Sequence, residues 1–86
     1  PNPFSSEAGM TSIRFSLPQA ADVRLEIYDA RGALVRTLVN GSREAGEHSV
    51  RWDGSTDHGL QLSSGIYQYR LLAAGSMLTR KLIITK

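Results

Sequence analysis

The stretch WDGSTDHG, residues 52–59, holds the residues whose types and spacing could do chemistry. Asp53 and Asp57 could offer oxygens to a hard cation such as calcium. His58 could move a proton, and so could His48, the other histidine of the chain. Trp52 could stack on a sugar ring. Each possibility has to face the bare pattern. Calcium needs a shell of several oxygens, and two carboxylates without a following bidentate glutamate leave most of that shell empty. The spacing is not that of an EF-hand. No His-Glu-x-x-His and no Gly-x-Ser-x-Gly elbow occurs. His48 shares the phase of Val50 and Trp52, which places it at the core or its rim, and His58 sits among polar loop residues. The pattern favours turns over a metal site. Asp53-Gly54 reads as an Asx-type turn with glycine at positive φ, and Asp57-His58-Gly59 reads as a repeat of that device. Trp52 reads as core. No cofactor, metal or catalytic group is expected.

The elements around this stretch are strands. Ile13, Phe15 and Leu17 alternate with polar residues. So do Val23, Leu25 and Ile27, then Val50 and Trp52, then Tyr67, Tyr69 and Leu71. A period of two gives a half-buried strand, with one face in a core and one in water. Residues 34–39 and 77–85 are β-rich but alternate less cleanly, as strands partly covered on both faces or bulged would. Residues 60–63 could add a short edge strand. Pro18 ends the first strand because it offers no ladder donor. Asp29-Ala30-Arg31-Gly32 suits a hairpin loop, Asn40-Gly41 reads as a turn opening a loop to Gly46, and Ala74-Gly75-Ser76 joins the last two strands tightly. The expected fold is all-β: an immunoglobulin-like antiparallel sandwich of six or seven strands.

Eighty-six residues make one domain, with room for one core and none for a deep pocket beside it. There is no cysteine to staple it. Net charge is +2, from ten Lys and Arg against eight Asp and Glu. The cations are scattered and not interleaved with aromatics, which argues against nucleic acid. No apolar run approaches the roughly 18 residues of a membrane span, so direct membrane insertion is not expected. No signal peptide is visible, and a chain opening on Pro1 is expected to be a piece of a longer protein.

Taken together, the motifs resemble a known family. They begin with Pro1-Asn2-Pro3-Phe4 and the Ile13-Arg14-Phe15-Ser16-Leu17-Pro18 strand. Val23-Arg24-Leu25-Glu26-Ile27-Tyr28-Asp29, Gly32, Val35-Arg36-Thr37-Leu38-Val39 and Ala45-Gly46-Glu47-His48 follow. Trp52-Asp53-Gly54, Asp57, Gly59, Ser64-Gly65-Ile66-Tyr67-Gln68-Tyr69-Arg70-Leu71 and the closing Thr79-Arg80-Lys81-Leu82-Ile83-Ile84-Thr85-Lys86 complete the set. This set is similar to the type A C-terminal sorting domains of the type IX secretion system. A related immunoglobulin-like domain of flagellar hook-capping proteins shares the Trp-Asp-Gly to Gly-x-Tyr region.

The resemblance implies a non-enzymatic secretion address that directs an upstream cargo domain of the same chain across the outer membrane. Its implied partners are secretion-system receptor and translocon proteins. Its implied route is export, with passage through the periplasm to the cell surface or medium. Within the last hairpin, residues 65–86, the basic tail of Arg80, Lys81 and Lys86, on or beyond the final strand, supplies the candidate recognition residues, set against an ordinary solvated strand face. Trp52, Asp53, Gly54, Gly59, Gly65 and Tyr67 become core and turn residues. The long loop becomes a crossover between two sheets, with Gly65 allowing close approach as the next strand begins. Two other readings stand beside this one. One is a carbohydrate-binding accessory module, which needs an exposed aromatic platform. The other is a spacer or assembly module, which need not be C-terminal.

Overall fold

In the computed structural model the described residues are 3–5 and 11–85. Seven strands form: β1 (Pro3–Ser5), β2 (Thr11–Leu17), β3 (Ala21–Tyr28), β4 (Leu34–Arg43), β5 (Gly46–Trp52), β6 (Gly65–Ala73) and β7 (Ser76–Thr85). The alternation read from the sequence is the alternation of burial. In β2, Ile13, Phe15 and Leu17 are buried and the residues between them exposed. β1, β7, β6, β3 and β4 lie side by side in a five-stranded sheet, and β2 pairs with β5 in a second sheet. All neighbours are antiparallel except β1, which runs parallel to the end of β7.

The core lies between the sheets. Val23, Leu25 and Ile27 of β3 face Ile13, Phe15 and Leu17 of β2, with Val39, Trp52, Tyr67, Leu82 and Ile84 completing the cluster. Each fully buried aliphatic side chain of this kind contributes about 1.5–3 kcal/mol relative to an exposed one. Among the described residues no helix is long and apolar enough to cross a membrane.

Three local expectations are corrected. Residues 60–63 form no strand and contribute a single bridge, Gln61 to Ser55. The seventh strand is instead β1. Asn40-Gly41 does not turn the chain: Arg24 pairs with Asn40 and Val23 with Gly41, so β4 runs on to Arg43. The continuing β3 ladder, with Ser42 Oγ donating to Asp22 Oδ1 at 2.7 Å, outweighs the local turn preference. Residues 34–39 are bulged as expected, with register shifts opposite Leu25/Glu26 and Ile27/Tyr28, but residues 77–85 are neither bulged nor covered on both faces: their ladder to β6 has no register shift, and only Leu82 and Ile84 are buried.

Candidate functional site

Residues 53–64 carry the chain from β5 in the small sheet to β6 in the large one, so the long loop is a crossover. Its first turn forms as the sequence implies. Asp53 Oδ1 accepts the Ser55 N–H at 3.0 Å and the Ser55 hydroxyl at 2.5 Å, and Gly54 takes φ +82°. The hydroxyl bond, reinforced by the backbone N–H, holds the Asp53 carboxyl below the usual carboxylate range. Trp52 is 1% exposed, and its Nε1–H donates to the Ser55 carbonyl at 2.9 Å. The indole therefore fills the core with its body and ties the loop with its polar edge.

The second turn is built differently from the expectation. Thr56, not Asp57, holds it: its Oγ1 accepts the N–H groups of His58 and Leu60, both at 3.2 Å. Gly59 does take positive φ, +83°. Asp57 reaches across to β4, an edge strand of the large sheet. Its N–H donates to the Val35 carbonyl at 3.1 Å, and its Oδ1 accepts the Thr37 N–H at 3.1 Å. A single residue thus satisfies two groups on the open side of β4, as a paired strand would. Arg36 between them donates to Thr56 O at 3.0 Å and Ser55 Oγ at 3.2 Å, with Nε 3.8 Å from Asp57 Oδ1. The loop is a clip on a sheet edge, the kind of cover that prevents unwanted strand pairing.

These commitments decide what the loop can do. Both carboxylates face protein donors. Among the described residues no three His, Cys, Asp or Glu side chains converge as a metal site would require. His58 is exposed. His48 lies at the rim, stacked on Phe15 with ring centroids 5.1 Å apart, its Nε2 2.7 Å from the Glu44 carbonyl. Tyr67 is buried and donates its hydroxyl to the Ser63 carbonyl at 2.8 Å. Gly65 departs from expectation. An added Cβ would meet only the Tyr67 ring, at the ordinary contact distance of 3.7 Å, so no close approach demands glycine there.

The last strand presents the other candidate residues. β7 pairs with β6 along its whole length, Tyr69 opposite Arg80 and Gln68 opposite Lys81. Leu82 and Ile84 are buried, so by the two-residue period Arg80 shares their inward face while Lys81 points outward with Ile83. Both cations are exposed. Lys86 lies outside the described residues. An open apolar groove of about 580 Å³ runs along the uncovered inner face, lined by Leu17, Pro18, Leu71, Ala73 and Leu78. On its far side β7 meets β1 only over Ile83–Thr85. Among the described residues, Ser76–Leu82 therefore form an open sheet edge.

One cluster escaped the sequence reading. Glu26, on the outward face of β3, is only 3% exposed. It accepts from Arg24 Nη2 at 2.8 Å and from the Tyr28 hydroxyl at 2.6 Å, and the Arg70 guanidinium lies 4.5 Å over the Tyr28 ring. The hydrogen bond to Glu26 raises the Tyr28 hydroxyl above the usual phenol range. The available signal was the Arg-x-Glu-x-Tyr spacing, which puts three interacting groups on one strand face.

Comparison with known proteins places this geometry in a family. A family model described as the FlgD Ig-like domain matches residues 2–76. The basal-body rod modification protein FlgD of Escherichia coli K12 is 40% identical over 65 residues, covering 74% of this chain and 28% of that protein. The chain thus spans little more than a quarter of that relative. Dimeric latent PorU from Porphyromonas gingivalis aligns with a TM-score of 0.75 at 23% identity, over 98% of this chain and 8% of that one. PorZ of the same organism, described as an essential bacterial surface component of the type-IX secretion system, aligns with a TM-score of 0.63 at 16% identity, over 100% of this chain and 11% of that one. At these identities PorU and PorZ share the fold with this chain.

Proposed function

The chain belongs to the FlgD Ig-like domain family, and within that family we propose that this member is a sorting domain for the type IX secretion system. In this reading it is a recognition module without catalysis. It directs an upstream cargo domain of its parent protein through the periplasm and across the outer membrane, to the cell surface or medium. Its partners are the receptor and translocon proteins of that system.

The observation that carries the reading is β7. The family match ends at residue 76, where β7 begins. The likeness to PorU takes in 98% of the chain, and the sorting-domain resemblance includes the closing residues 79–86. β7 completes the core through Leu82 and Ile84 and leaves two exposed cations and an edge on display. A domain whose work is to be recognised needs such a surface and no pocket of enzymatic type. The sugar-binding alternative loses its platform, since Trp52 is buried. The assembly-module alternative keeps one specific support, the 40% identity to FlgD of E. coli.

An exchange separates the two. A reporter with a signal peptide is fused to this chain or to the matching region of E. coli FlgD, in a host with the type IX system. Sorting predicts export by the first fusion alone. Retention of both in the periplasm refutes it, and restored motility when this chain replaces the matching region in FlgD favours the assembly module.

A further inference from the structure

One corner of the sandwich carries no charge. The β2–β3, β4–β5 and β6–β7 connections lie at the same end, since Leu17 pairs with Gly46, Ala21 with Arg43 and Val23 with Ala73. The β4–β5 connection holds Arg43 and Glu44. The other two are uncharged: Pro18-Gln19-Ala20, and the whole hairpin stretch Leu71–Thr79. Between them opens the apolar groove of about 580 Å³, and no charged side chain lines it. The acids of this end lie on the β3–β4 side, Glu44 in its connection and Asp22 held by the Ser42 hydroxyl.

The hairpin tip exposes apolar side chains on both of its faces. Met77 is 62% exposed on the outward face and Leu78 41% exposed on the inward face. Exposed apolar groups that converge on one tip mark a contact surface. A folded partner seated on the sheet covers one face and leaves the other in water, whereas a fluid apolar phase covers both. Charge limits how far such a phase reaches. Arg70 and Arg80 bound the uncharged stretch at nearly one level, Arg70 opposite Thr79 and Tyr69 opposite Arg80. Arg70 is committed to the Tyr28 ring. Arg80 is exposed, and its level lies about 13 Å along the strand from Ser76. Interfacial segments bury their apolar face by roughly 5–10 Å. The Arg80 guanidinium thus stays at phosphate level when the tip is below it, its long side chain reaching out to the charge. This use leaves Arg80 in place as a charged guard of the β7 edge.

We propose that this corner, the β6–β7 tip together with the Pro18–Ala20 loop, docks on an anionic lipid surface, with Met77 and Leu78 below the headgroups and Arg80 on lipid phosphates. The contact is shallow and is not a span. Asp22 and Glu44 set the tilt, because anionic headgroups repel them and keep the β3–β4 side in water. The corner has this chemistry whether or not the chain is a sorting domain.

The chain has no cysteine, so Ser76→Cys places a single environment-sensitive fluorophore at the tip, and Ala30→Cys places one in the β3–β4 loop at the opposite end. Both labelled proteins are titrated with vesicles of phosphatidylcholine and phosphatidylglycerol in equal parts, and with vesicles of phosphatidylcholine alone. On the mixed vesicles the tip label should shift to the blue and the Ala30 label should not. Binding to mixed vesicles should exceed binding to neutral ones by about fivefold or more, and Arg80→Gln should remove about fivefold of it, the effect of one cation near an anionic surface. Met77→Asp should weaken binding to both by about tenfold. Each variant is checked for a wild-type melting curve, and the label result stands without them. A tip label unmoved by mixed vesicles, equal shifts at Ala30 and Ser76, or binding indifferent to both Arg80→Gln and Met77→Asp would overturn the proposal. So would a blue shift that needs no vesicles and grows with protein concentration, which would mark a second copy of the chain as the occupant.

Discussion

Removing the Asp57 carboxylate should loosen the clip on β4 without touching the core. Asp57→Ala deletes the acceptor of the Thr37 N–H and the charge beside Arg36 Nε. A hydrogen bond of this kind contributes about 0.5–1.5 kcal/mol. The Asp57 side chain is 48% exposed, so water can reach the freed N–H and the lower half of that range applies. The ion pair at 3.8 Å adds no more than about 0.5 kcal/mol after solvent screening. The expected loss is about 0.5–1.5 kcal/mol, read in urea as a fall in midpoint of about 0.5–1 M at the slope usual for a small domain. Asp57→Asn keeps an acceptor oxygen and should recover more than half of it. Amide exchange at Thr37 should accelerate in the alanine variant and stay slow in the asparagine one. Millimolar calcium should leave the melting temperature of wild type unchanged, because both loop carboxylates already face protein donors. The clip account fails if alanine costs less than about 0.3 kcal/mol, if asparagine costs as much as alanine, or if calcium raises the melting temperature saturably.

Four further outcomes follow from the same structure. Trp52→Ala should cost about 3–5 kcal/mol in chemical denaturation, since it empties the largest fully buried site and frees the Ser55 carbonyl. Ala74→Asn should stabilise by about 0.5–1 kcal/mol, measured by melting: Ala74 holds φ +52° beside Gly75 at +78°, a turn that favours asparagine first. The lowered Asp53 carboxyl contributes stability above its unfolded value of about 3.9, which is lost as pH falls through the folded value; Asp53→Asn should flatten that acid limb in a pH series of melts. The triple change Arg80→Gln, Lys81→Gln, Lys86→Gln should leave circular dichroism and melting near wild type, because Arg80 and Lys81 are exposed, where charge interactions contribute at most about 1 kcal/mol, yet trap much of a reporter fusion in the periplasm.

The strands were legible because their signal is local. Alternation in residues 13–17 and 23–27 needs only the period of two, and the shared phase of Val50 and Trp52 was enough to bury the indole. Asp53 was legible too, since its partner lies two residues away. What stayed hidden depends on partners distant in sequence. Asp57 looked like a second turn residue because the N–H it accepts belongs to Thr37 in another strand. Asn40-Gly41 looked like a turn because the sequence does not display the β3 ladder that holds it extended. Glu26 occupies an outward position in the alternation and is buried by Arg24 and Tyr28 of its own strand, with Arg70 of β6 stacked on that tyrosine. The opposite facing of Arg80 and Lys81 was available from the apolar phase of Leu82 and Ile84, but reading them as one basic tail concealed it.

The central claim is most directly tested by where a passenger protein ends up. A reporter carrying a signal peptide and this chain at its C-terminus is expressed in two matched hosts, one with a working type IX translocon and one without. The measurement is the fraction of folded reporter outside the outer membrane. The account predicts that most of the reporter is surface-bound or released in the first host and held in the periplasm in the second. Equal distribution in the two hosts would contradict it and leave this family member as an assembly or spacer module.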